Sequence, residues 1–95
     1  MKYFRLKWNH NNPDEPVWIF SELNSDGKEV RKIECFHNGF CDVATATESS
    51  GTAAVATLPL PDLKALARRD PEFEPKEISR EEFEEVWVSR RFKAT

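Results

Sequence analysis

Cys35, His37, Cys41 and His10 are the side chains best suited to hold a soft metal or supply a nucleophile, in a chain with two cysteines and two histidines. Closed zinc sites draw on closely paired cysteines, and the spacing here matches none of those patterns. A tight Asn38-Gly39 turn would set Cys41 opposite Phe36, whereas a three-residue loop would set the two cysteines opposite each other. A Cys–His catalytic pair also needs an oxyanion hole, and neither cysteine is accompanied by a Gly-rich or strand-to-helix elbow. Ser49-Ser50-Gly51 has one glycine and no following P-loop lysine, so it reads as a flexible loop. Carboxylate pairs occur at Asp14-Glu15, Glu81-Glu82 and Glu84-Glu85. General acid–base work requires a desolvated carboxyl, and these pairs fall in a loop or on a solvated helix. The expectation is no metal, no cofactor and no catalytic residue, with both cysteines as buried or half-buried thiols.

Two surfaces remain as candidates for binding. The first is a sheet face carrying Tyr3, Arg5, Lys7, Trp18 and Phe20. The second is acidic: Asp70 to Glu85 holds eight Asp and Glu against Lys76 and Arg80, with Glu81, Glu82, Glu84 and Glu85 crowded at a helix start. The helix dipole favours such carboxylates without any partner.

The elements that must position these residues are readable from periodicity. Lys2 to Trp8 alternates, with Phe4, Leu6 and Trp8 on one face and Tyr3, Arg5 and Lys7 on the other. Asn9 to Asp14 is a turn-forming run. Val17 to Leu23 is a strand apolar on both faces. Glu29 to Phe36 is a third strand, with Val30 out of phase and a bulge expected there. Asn38-Gly39 turns the chain into a fourth strand, Phe40 to Thr45. Thr45 to Thr57 is a small-residue loop, whose Ala53 to Leu58 portion could add a short edge strand. Asp62 to Arg69 is a short helix stopped by Asp70-Pro71, and Phe73 should plug back into the core. Ile78 to Phe92 is the strongest element: Ser79 and Glu82 form a capping box, and Phe83, Val86, Trp87 and Arg90 make one helical stripe.

Short turns between strands and helices after them give an α+β fold. We expect a four-stranded antiparallel meander followed by two C-terminal helices packed on one face, against Phe4, Leu6 and Trp8. Residues 1–95 form one domain, with 11 aromatics to fill its core. The net charge of −3 is spread evenly, so no half of the chain is a basic nucleic-acid tail. No apolar run approaches the ~20 residues of a membrane span. Charges interrupt Met1-Lys2-Tyr3-Phe4-Arg5 too early for a signal peptide. A cytoplasmic protein with reduced cysteines is therefore expected.

Met1 to Trp8, Pro13 to Val17, Ser21-Glu22-Leu23, Glu29 to Glu34, Asp70 to Phe73 and Ile78 to Trp87 together resemble a family of small stand-alone bacterial proteins described only as a domain of unknown function. The resemblance implies a bacterial, cytoplasmic, single-domain protein and no activity. On these grounds the expected function is a non-catalytic protein-binding module, immunity- or antitoxin-like in one version, whose carboxylates mimic nucleic acid toward a basic toxin. It would be a monomer or weak dimer, with at least one of Tyr3, Trp18 and Phe20 exposed at the partner surface. The alternative is single-stranded nucleic-acid binding, with these rings stacking bases and Arg5 and Lys7 on phosphates. An acidic domain makes that partner the weaker expectation.

Overall fold

A computed structural model describes residues 1–51 and 53–93, so Thr52 of the expected loop lies outside the described residues. The strands are β1 (Lys2–Trp8), β2 (Trp18–Leu23), β3 (Glu29–Cys35), β4 (Cys41–Thr45) and β5 (Phe73–Ile78), with α1 (Leu63–Arg69) before β5 and α2 (Arg80–Ser89) after it. The sheet has five strands in the order β4-β3-β2-β1-β5, every pair antiparallel. The meander of four is present as expected. The correction is β5, which returns after α1 to pair with β1 and makes β1 an interior strand.

Pro75 is why β5 escapes a reading by pattern. Asn9 donates its N–H to the Glu72 carbonyl at 2.8 Å, and bonding and non-bonding pairs alternate from there along the ladder. Pro75, opposite Leu6, then falls where its missing N–H points away from β1. Proline is tolerated at such an edge position. Phe73 belongs to this strand and does not enter the core as expected: it is half-buried, with its ring stacked 5.6 Å from Trp8 on the face away from the core.

The expected bulge in β3 is Val30: Glu22 pairs with Arg31 and Leu23 with Glu29, so Val30 has no partner across the sheet. One sheet face therefore carries Tyr3, Arg5 and Lys7, then Glu22, Phe20 and Trp18, then Arg31, Ile33 and Cys35. The opposite face carries Phe4, Leu6 and Trp8, then Leu23, Ser21 and Ile19, then Glu29, Lys32 and Glu34.

The two helices do not share a face. α2 lays Phe83 and Val86 over Tyr3, Phe20, Ile33, Cys35 and Val43, which form the core. α1 packs on β5, and its Leu63 lines a cleft with Phe4, Leu23 and Pro75 on the opposite face. The expectation that α2 covers Phe4, Leu6 and Trp8 is thus overturned. Those residues are half-buried, with Phe4 beside Leu60 and Leu63 and Trp8 against Phe73 and His10.

The 53–60 segment is tied down by one carboxylate. Glu29, buried, accepts from Ser21 Oγ and from the Ala56 N–H, each at 2.7 Å, with Lys32 Nζ 4.0 Å away. Leu60 adds a backbone bond to Gly27 O at 3.0 Å. Removing Glu29 leaves two donors without their acceptor, which costs about 1–3 kcal/mol. Glu29→Ala is expected to show that loss together with faster amide exchange at Ala56. Unchanged exchange at Ala56 would show that the carboxylate does not anchor the segment.

Candidate partner-binding groove

The α2 helix starts at the expected cap, with the Ser79 side chain accepting the Glu82 N–H at 3.1 Å, but the Glu82 carboxylate does not reach back to the Ser79 N–H, so half of the expected capping box forms. It ends at Ser89, earlier than the expected stretch, because Arg90 adopts the left-handed conformation (φ 56°) and turns the chain. The residues beyond form a strap along the β3–β4 hairpin. Arg90 O accepts from Cys41 N–H at 3.0 Å, Arg91 bridges to Phe40, and Phe92 N–H donates to Gly39 O at 2.9 Å. The Phe92 ring stands edge-on to Trp18 and Phe20, at 5.1 and 5.0 Å.

This strap and α2 together decide the fate of the expected aromatic surface. Tyr3 is 7% exposed and Phe20 2% exposed. Trp18 is half-buried, with the Arg5 guanidinium 5.0 Å and Lys7 Nζ 5.7 Å from its ring. The open aromatic face expected from the sequence is therefore the covered core face. Burial, then the adjacent Glu22 carboxylate, pushes the Tyr3 phenol above its ordinary value.

Arg31 is the residue that pattern reading passed over. Its guanidinium meets Glu22 through Nε (2.7 Å) and Nη2 (2.9 Å), and Glu84 of α2 through Nη1 (3.3 Å) and Nη2. It also lies 4.8 Å from the ring centroids of both Phe83 and Trp87. Arg31 holds both the Glu22 and Glu84 carboxyls below the usual carboxylate range, against the effect of burial. A signal was available: Arg31 shares the phase of Ile33 and Cys35, and an arginine on a core face demands a carboxylate.

Glu84 is consequently engaged within the fold. Glu81, Glu82 and Glu85 are exposed and have no ion pair among the described residues. They form one wall of an open groove of about 830 Å³, with Phe20, Val86 and Phe92 at its base and Arg5, Arg91 and Lys93 also lining it. Aromatic and aliphatic surface beside charge is what a partner side chain can use.

The cysteines are paired with each other. The hairpin loop is His37-Asn38-Gly39, closed by Phe36 N–H to Phe40 O at 3.0 Å with Gly39 at φ 87°, so Cys35 faces Cys41 and the two form a disulfide. This corrects both the two-residue turn and the free thiols. His10 is likewise occupied: Nδ1 accepts the Asn12 N–H at 3.0 Å, so Nε2 carries the proton and donates to Pro16 O at 2.8 Å. Among the described residues no three His, Cys, Asp or Glu side chains gather as a metal-binding group. Likewise no helix is long and apolar enough to cross a membrane.

A sequence model of the domain of unknown function DUF6881 matches residues 2–92. The chain belongs to this family. No curated protein and no solved structure matches it. In this DUF6881 chain the matched stretch includes all five strands, both helices, Arg31 and the strap through Phe92.

Proposed function

We propose that the chain is a non-catalytic protein-binding module that receives a basic partner along α2. The observation carrying this reading is that Glu81, Glu82 and Glu85 stand without ion pairs among the described residues, beside a groove with an apolar base. An immunity- or antitoxin-like protein facing a basic toxin is one version of it. Carboxylates on a rigid helix steer a basic surface by their field, and the exposed Val88 side chain beside Phe92 offers apolar area for an anchor. Tyr3, Arg5, Lys7, Trp18 and Phe20 contribute unequally: Arg5 and the edge of Phe20 reach the groove, while Tyr3 supports α2 from below. The alternative, single-stranded nucleic acid, is favoured only by Arg5 and Lys7 over Trp18, and its stacking platform is largely covered.

The test is a triple variant, Glu81→Gln, Glu82→Gln and Glu85→Gln. Surface changes of this kind should alter stability by no more than about 1 kcal/mol. With the chain as bait in its source organism, a basic protein retained by the wild type should be lost by the variant. Calorimetry on that partner should show at least about a tenfold weaker complex with a reduced salt dependence. A complex indifferent to the three substitutions defeats the proposal. Tight oligonucleotide binding that Trp18→Ala with Arg5→Ala abolishes would put the alternative first.

A further inference from the structure

We propose that the Cys35–Cys41 disulfide is a redox-sensitive latch that holds the C-terminal strap over Trp18 and Phe20. This goes beyond the partner-binding reading and does not depend on it. The disulfide closes the end of the β3–β4 hairpin, and the same hairpin supplies both backbone partners of the strap, the Cys41 N–H and the Gly39 carbonyl. Arg91 adds its guanidinium 4.4 Å from the Phe40 ring centroid, so the strap's contacts concentrate on this hairpin end. The strap also leaves α2 through Arg90 in the left-handed region, a conformation a non-glycine residue keeps only while its surroundings enforce it.

The chemistry is thiol–disulfide exchange with a dithiol reductant. Cys35 is fully buried and Cys41 is half-buried, so the incoming thiolate attacks the Cys41 sulfur. The Cys35–Cys41 bond breaks, and the Cys35 sulfur leaves with the electron pair and takes a proton. The second thiolate of the reductant then breaks the mixed disulfide, freeing the Cys41 thiol and closing the oxidised reductant. Two electrons and two protons pass from reductant to protein. Two thiol sulfurs must then separate to about 3.5–4 Å, the resting range of non-bonded heavy atoms. The Cα atoms are only 4.0 Å apart, and Cys35 is fully buried in the core whereas Cys41 is half-buried, so Cys41 is the residue that moves. Its N–H carries Arg90 O, and the strap moves with it.

Amide hydrogen exchange read by NMR, on the oxidised chain and on the chain reduced with dithiothreitol, tests this. The Cys41 and Phe92 amides should exchange at least about tenfold faster after reduction, while the β1–β2 ladder amides change less than about twofold. A Cys35→Ala, Cys41→Ala double variant should reproduce the reduced pattern. Three results would each overturn the proposal: two free thiols in the chain after air oxidation, unchanged Cys41 and Phe92 exchange in a chain whose thiols both titrate, or an equal acceleration at every amide.

Discussion

Arg31→Ala is expected to cost about 3–5 kcal/mol, the loss typical of removing one partner from a buried ion pair. Against a total stability of about 5–15 kcal/mol for a domain, that loss leaves the fold marginal. The size comes from what stays behind. Glu22 is 5% exposed, and its carboxylate has Arg31 as its ion-pair partner through two contacts. The guanidinium also ties β3 to α2 through Glu84 and covers Phe83 and Trp87. Urea unfolding at neutral pH should show a lower midpoint with an unchanged slope. Replacing Glu22 and Arg31 together by methionine should recover more than half of the loss, because the deeply buried Glu22 charge is then gone and only the more exposed Glu84 loses its partner. A double variant no better than Arg31→Ala would locate the cost in lost packing instead.

The same pair makes a pH prediction whose sign is fixed. Arg31 depresses the Glu22 and Glu84 carboxyls in the folded chain. Their contribution is therefore complete above the unfolded carboxylate value of about 4.3 and is lost as pH falls through the depressed folded values. In Arg31→Ala the buried Glu22 has lost its counter-charge, so burial raises it and protonation relieves the fold. The gap between wild type and variant should narrow from pH 7 toward pH 3. A constant gap would mean that Glu22 does not titrate differently in the two proteins.

The contrast between what the sequence disclosed and what it hid has a physical basis at each residue. The Ser79 cap on the Glu82 N–H, the alternation of β1 and the odd phase of Val30 are local, set by chemistry within a few positions, and these are present in the fold. The choice of sheet face is not local. β2 is apolar on both sides, so α2 could be placed only by knowing that Arg31 needs Glu22 and Glu84 together and that Phe92 reaches back to Phe20. β5 hides because Pro75 argues against a strand unless the strand is known to be an edge. The disulfide turns on a single residue of loop length: with Gly39 alone left-handed the loop has three residues and the cysteines meet. Of the candidate surface, the acidic wall was legible and its apolar base was not, since that base is assembled from β2, α2 and the strap.

Phe83→Ala is the second large expected effect, about 3–5 kcal/mol, or a fall in melting temperature of about 4–8 °C for each kcal/mol. Phe83 is 0% exposed, its ring lies 5.3 Å from Tyr3 and 6.2 Å from Trp87, and Arg31 sits on its face. Trp87, which the helical stripe suggests as an equal anchor, is half-buried between Arg31 and Arg90. Trp87→Ala should therefore cost less, about 1–3 kcal/mol. A helix of 10 residues does not hold together alone in water, so α2 depends on this ring to stay on the sheet. Phe83→Leu should retain most of the stability, because it keeps apolar volume where the sheet requires it. Thermal unfolding of the three variants side by side decides the matter. If Trp87→Ala falls as far as Phe83→Ala, α2 is anchored along its whole stripe, and Phe83 is not the residue that fixes it.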